Sequence, residues 1–194
     1  AMHQAKQEGG NDLRFYSPAL HAAINERQAI EKGLRLASER GEFALHYQPQ
    51  VSMADGRVVV VEALLRWRHP EMGMVSPARF IPIAEETRRI VAIGDWVLRE
   101  ACRQGRLWHD AGYTGLQVAV NLSPRQFKQA NLVQRIEDAL AESGFAPAAL
   151  ELEITEGALM ADPAQAAEVL RRLKRRGVRF SIDDFGTGYS SLGY

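Results

Sequence analysis

The sequence predicts an α/β protein: a parallel sheet wound with helices and entered through one antiparallel hairpin. Two patterns carry that prediction. From Leu116 onward, short β-prone runs alternate with amphipathic stretches of helical length, which is the signature of βα units with right-handed crossovers. Ahead of them, two β-prone runs flank Asp55-Gly56, a turn pair that joins antiparallel neighbours. A third observation places the chemistry: Glu62, Asn121, Glu153 and Asp183 each stand at or near the C-terminal end of a strand.

Residues 1–8 are rich in helix formers and stop at Gly9-Gly10-Asn11-Asp12, a helix C-cap and turn. After Phe15-Tyr16, Ser17 or a neighbour caps the next helix and Pro18 stands at its start. Over residues 19–40, Leu20, Ile24, Ala29, Ile30, Leu34 and Ala37 recur at roughly helical spacing among charges, giving one buried stripe, and Gly41 ends the helix. Residues 43–51 and 57–61 form the first two strands. The second runs on through Glu62 to Pro70, where Pro70 and Gly73 mark a loop. Residues 77–86 and 90–111 read as helices, the latter ended by Gly112. Residues 116–121 are a strand, Ser123-Pro124 a cap and first-turn proline, and 126–143 a helix closed by Gly144. Residues 150–155 are a strand, Asp162-Pro163 starts a helix that Gly177 closes, and 178–183 are the last strand.

The 194 residues are 46% hydrophobic and 25% charged, as expected of a globular domain. Lys plus Arg equal Asp plus Glu at 24 each, so there is no electrostatic footprint for a nucleic-acid polymer. The longest apolar run, 58–65, is interrupted by Glu62 and far too short to span a bilayer. The lone Cys102 reads as a small buried side chain; it excludes an intrachain disulfide and fits a reducing, cytoplasmic compartment. The chain opens on Ala1 in what reads as the middle of a helix and without a charged-then-apolar leader. It therefore reads as part of a longer protein, for which an upstream membrane anchor stays open.

Adjacent strand residues face opposite ways, so Asp183 and Asp184 share a site only where the strand is ending. Gly186-Thr187-Gly188 follows as a flexible loop. Burying a carboxylate is costly, and a cation is one remedy. In barrels the C-terminal ends of parallel strands converge on one mouth. Three carboxylates and an amide there, with no paired-histidine motif, favour Mg²⁺ or Mn²⁺ over zinc. The bland alternatives are a solvated Asp-Asp turn and solvent-facing glutamates; four oxygen donors at one depth of successive strands outweigh them. Trp67, Trp96 and Trp108 read as core, and Glu71 with Arg88-Arg89 as a solvated face.

Glu62-Ala63-Leu64 followed by Leu65-Arg66-Trp67, Val120-Asn121-Leu122-Ser123, Glu153-Ile154-Thr155-Glu156, and Asp183-Asp184-Phe185-Gly186-Thr187-Gly188-Tyr189-Ser190-Ser191-Leu192 stand in order. In motif order and spacing, from Gly41 to the end, the chain resembles the EAL family of bacterial cyclic di-GMP phosphodiesterases. The tripeptide alone carries nothing; four motifs in register do. The resemblance implies a TIM-like (β/α) barrel with an antiparallel first strand. About five of its eight strands are present, since a complete barrel takes about 250 residues and only about 150 follow Gly41.

The resemblance further implies two divalent ions, Mg²⁺ or Mn²⁺, held by Glu62, Asn121, Glu153, Asp183 and a shared Asp184. Glu156 matches the residue that holds the loop 185–192. Gln48 and Arg66 match substrate contacts, Arg66 being suited to a phosphate oxygen. The implied reaction is two-metal hydrolysis of cyclic di-GMP to linear pGpG by an activated water. That loop is also dimer-linked in the family, so a homodimer is expected of the parent protein. Residues 1–6 with Phe15-Tyr16 resemble the tail of a GGDEF domain. The expected division is therefore 1–16 GGDEF remnant, 17–41 linker helix and 42–194 the N-terminal part of an EAL domain. Gly157 departs from the family's usual small polar residue. The family's later lysine-aspartate and glutamate strands lie beyond Tyr194, so this stretch by itself is expected to be silent. Two other readings are a catalytically silent cyclic di-GMP receptor and a two-carboxylate glycosidase. All four ligand positions stand, which favours the enzyme over the receptor; the amide and the Asp-Asp loop fit a glycosidase poorly.

Overall fold

The computed structural model describes residues 18–183. The GGDEF-like remnant, Asp184 and the loop 185–192 lie outside the described residues. The chain runs α1 (Pro18–Leu34), β1 (Phe43–Val51), β2 (Val58–His69), β3 (Gly73–Val75), α2 (Pro77–Glu86) and α3 (Ile90–Asp110). It continues through β4 (Gln117–Leu122), α4 (Pro124–Phe127), α5 (Leu132–Ser143), β5 (Leu150–Thr155), α6 (Glu156–Met160), α7 (Pro163–Arg175) and β6 (Arg179–Asp183).

Strands β1 and β2 pair antiparallel, with Gln48 opposite Glu62. From β2 the sheet proceeds in parallel through β4, β5 and β6, so the path is β1-β2-β4-β5-β6. The hairpin stands as predicted, though its loop is longer than the dipeptide: Val51 pairs with Val58 after a register shift, and Gly56 turns at φ 70°.

Alternation along each strand decides which side is core. Val61, Ala63 and Trp67 of β2, Val118, Val120 and Leu122 of β4, and Leu150, Leu152 and Ile154 of β5 are buried. They meet the apolar face of α3, which buries Ile93, Val97, Leu98, Ala101 and Cys102. Each buried Val, Leu and Ile among them contributes about 1.5–3 kcal/mol over exposure. Trp67 lies at the centre, edge-on to Phe80 at 5.5 Å, its Nε1 donating to Glu42 Oε2 at 3.0 Å. The end of α1 closes over it through Ile30 and Leu34, and a Cβ at Gly33 would come within 2.9 Å of the rings of Trp67 and His69.

Three local expectations are corrected. The segment read as a loop after Pro70 contains β3, which pairs Val75 with Trp67. His69 Nδ1 accepts from the N–H groups of Glu71 and Met72, and Gly73 turns at φ 66°; a strand of three residues leaves no periodic signal. The helix expected over 126–143 is two helices, α4 and α5, interrupted at 128–131. A short extra helix, α6, follows β5 directly.

Candidate functional site

Residues directly opposite one another share a sheet face, as do residues two apart on one strand. Gln48 stands opposite Glu62, Glu62 beside Ala119, Asn121 beside Glu153 and Glu153 beside Ser181. It follows that Gln48, Glu62, Arg66, Asn121, Glu153 and Asp183 all share the face turned away from the helices. The parallel strands carry Asn121, Glu153 and Asp183 at their carboxyl ends, and β2 brings Glu62 alongside. The sequence puts all four donors at one depth near strand ends. The structure brings them to one face but staggers them: Asn121 is level with Glu153, Asp183 with Thr155, and Glu62 with Ala119, inside β2 rather than at its end.

The contacts among them are specific. Asn121 Nδ2 donates to Glu62 Oε1 at 2.8 Å. The carboxyl of Glu153 is pushed up to about 7, first by burial and then by the negative charges of Glu62, Asp183 and Glu151; a hydrogen bond with Glu62 acts in the same direction. Ser181 Oγ, on the same face, is buried without a hydrogen-bond partner among the described residues. Glu156 is half-buried and opens α6 at the end of β5. Gln48 is exposed opposite Glu62, and Arg66 is half-buried with Nη1 donating to Leu65 O at 2.9 Å. A cavity of about 330 Å³ opens at this rim, lined among others by Leu64, Arg66, Ile81, Asn121, Thr155 and Asp183.

Among the described residues, no group of three or more His, Cys, Asp and Glu closes into a coordination sphere by itself. The donor set is instead mixed, three carboxylates with one amide. All are hard oxygen donors of the kind Mg²⁺ and Mn²⁺ take, and the crowding at Glu153 is the strain a divalent cation relieves. The residues fit such ions.

One contributor was missed in the sequence. Ser123 N and Oγ donate to Gln126 Oε1 at 3.2 and 2.8 Å, while Gln126 N donates to Ser123 Oγ at 3.3 Å. This capping box pins the turn that follows β4, and Gln126 is the one buried polar residue of the core among the described residues. Ser123-Pro124 stands as the cap and first-turn proline that the sequence predicts, and the Ser-x-x-Gln spacing is the signature that identifies Gln126 as the other half of the box. The tryptophans lie as expected: Trp67 is buried on the helix side, and Trp108 meets Tyr47 edge-on at 4.7 Å.

A parallel β/α sheet with its acid and amide groups gathered at the carboxyl rim defines a barrel-type domain whose site is its mouth. The profile of the EAL domain matches residues 31–194, and the chain belongs to the EAL-domain family. It is 47% identical over 194 residues to the bifunctional diguanylate cyclase/cyclic di-GMP phosphodiesterase MucR of Pseudomonas aeruginosa, covering all of this chain and 28% of that protein. It is 46% identical to the cyclic di-GMP phosphodiesterase NbdA of the same organism, covering 25% of it. The chain thus spans about a quarter of the length of these relatives. The solved PaMucR phosphodiesterase in complex with c-di-GMP superposes with a TM-score of 0.81 at 49% identity, over 84% of this chain and 66% of that one. The Xanthomonas citri FimX EAL domain in complex with c-diGMP gives 0.75 at 26% identity, over 87% and 65%. The open sheet is accordingly an incomplete TIM-like barrel with an antiparallel first strand.

Proposed function

We propose that the protein carrying this chain hydrolyses cyclic di-GMP to pGpG, with two divalent ions of Mg²⁺ or Mn²⁺. The observation that supports this most is the convergence of Glu62, Asn121, Glu153 and Asp183 on one face of one rim, with Asn121 bonded to Glu62 and Glu153 forced toward neutrality. When bound, the ions supply an activated water and neutralise charge on the phosphodiester. Glu62, Glu153 and Asp183 would hold them through carboxylates, and Asp184 would be shared between the two. Asn121 spends Nδ2 on Glu62, which leaves its Oδ1 to ligate. Arg66 would hold a phosphate oxygen and Gln48 another polar group of the substrate, both on the face that carries Glu62. Glu156, at the start of α6, would hold the loop after Asp184.

The wider organisation belongs to the same proposal. Residues 1–16 are the end of a GGDEF domain, residues 17–41 join it to the EAL domain, and the parent works as a homodimer in the cytoplasm. No helix among the described residues is long and apolar enough to cross a membrane.

Glu62→Gln in the full-length protein tests the assignment. Partners of metal ligands typically cost 10–100-fold on mutation, so loss of a ligand should cost roughly a hundredfold or more in turnover, with the melting temperature retained. Wild-type Mn²⁺-dependent turnover in that variant would overturn it. The second reading is a silent cyclic di-GMP receptor, in which the same rim binds the nucleotide without cleaving it. A wild-type protein that binds cyclic di-GMP and does not cleave it would establish that reading instead.

A further inference from the structure

The inner face of the β5–β6 ladder carries three rungs. Glu151 stands opposite Arg179, Glu153 opposite Ser181, and Thr155 opposite Asp183. Each rung sets one carboxylate beside a side chain that can donate a hydrogen bond. Neighbouring strands lie about 4.8 Å apart, so a donor on one is within reach of a carboxylate on the next. At the lowest rung the pair is made: Arg179 Nε lies 4.0 Å from Glu151 Oε2.

At the middle rung it is not made. Glu153 is hydrogen-bonded to Glu62 instead, two strands away across β4. Ser181 Oγ is left buried, without a hydrogen-bond partner among the described residues. A hydroxyl in that state has given up water and gained nothing in exchange, which is an uncommon condition for a buried polar group. The other donors around Glu153 are engaged or stand further off. Asn121, its neighbour on the β4 side, donates Nδ2 to Glu62. Arg179 is paired with Glu151, and Thr155 stands one strand repeat higher, at the rim cavity. The hydroxyl of Ser181 is the donor that remains beside Glu153 on the β6 side. A divalent ion held by Glu62 and Glu153 together takes the place of the hydrogen bond between them, and ligating carboxylates are themselves held by hydrogen bonds from behind.

We propose that Ser181 is the positioning residue of Glu153 in the metal-loaded site, its Oγ–H donating to the Glu153 carboxylate once a divalent ion replaces the Glu62–Glu153 hydrogen bond. The hydroxyl that is idle in the metal-free protein is the one the ligating carboxylate uses, and the middle rung then matches the lowest. This rests on the two-ion reading and adds to it a residue that touches neither ion nor substrate.

Calorimetric titration of Mn²⁺ into the metal-free full-length protein, counting the uptake that Glu62→Gln removes, tests this role. Ser181→Ala should weaken that uptake about tenfold, the lower end of the loss typical when the hydrogen-bond partner of a ligand is removed. The melting temperature of the same variant without metal should stay at or above that of wild type, because the hydroxyl removed has no partner there. Ser181→Thr keeps a hydroxyl on a residue suited to a strand and should restore the affinity. Wild-type Mn²⁺ affinity in Ser181→Ala overturns the role and leaves the two-ion reading standing. A metal-free melting temperature lowered by Ser181→Ala shows a hydroxyl already bonded without metal, and overturns the role as well. So does a Ser181→Thr variant that melts like wild type yet binds as weakly as Ser181→Ala; where Ser181→Thr melts lower, Ser181→Ala decides alone. A wild-type protein with no Mn²⁺ uptake sensitive to Glu62→Gln removes the two-ion reading itself, and this role with it.

Discussion

Glu153 is the residue where the cost of assembling the site is concentrated. Its carboxyl is raised to about 7 by burial and by Glu62 and Asp183, so in the metal-free protein it holds a proton that the unfolded chain has already released. Between the usual glutamate range and about pH 7 the native state binds more protons than the unfolded one. Stability therefore falls as pH rises through that window and levels off above it. We expect Glu153→Gln to raise the melting temperature of the metal-free protein at about pH 8 and to have little effect at about pH 4, where both states carry the proton. Equal shifts at the two pH values would show that the carboxylates do not confront one another. Asn121 answers the same crowding from the other side, donating an N–H to Glu62 where another carboxylate would add repulsion.

At the scale of elements, the site is carried by turns that are themselves held by the core. Asn121 stands one residue before the end of β4, and the turn after it is locked by the Ser123–Gln126 box, whose buried amide packs against α3 at Gly94. A Cβ at Gly94 would fall 1.9 Å from Gln126 Nε2 and 2.3 Å from its Cδ, far inside contact distance. Gly94→Ala should cost about 1–3 kcal/mol in urea unfolding, the typical price of overpacking. Removing the obstructing side chain in Gly94→Ala/Gln126→Ala should make the two substitutions less than additive, since they share one space. Full additivity would place the two side chains out of contact.

For the molecule as a whole, the sheet has two open ends among the described residues. Strand β1 is covered by its hairpin partner on one side, and β6 pairs only with β5 among the described residues. Ile182 of β6 is 53% exposed on the side where the equivalent residues of β4 and β5 are buried. An unpaired strand edge with an apolar face is a template for association. We expect the 194-residue chain, expressed by itself, to elute from size exclusion as oligomer or aggregate and to turn over no cyclic di-GMP with Mg²⁺ or Mn²⁺. A soluble monomer with turnover would show that these strands suffice for the site.

What the sequence determined by itself is the order of the parallel strands, the antiparallel start and the set of rim residues. Strand alternation has a period of two, so the placement of Glu62, Asn121, Glu153 and Asp183 on one face follows once the register is consistent, and apolar neighbours such as Val120 and Ile154 make it so. Four motifs in order also sufficed to name the family. Tertiary structure alone decided what depends on distance between segments. The Glu62–Asn121 bond spans 59 residues of chain, and the Gly94–Gln126 contact joins a helix to a turn two elements away. Strand β3 is three residues held by His69 and Gly73, too short for any periodicity to register.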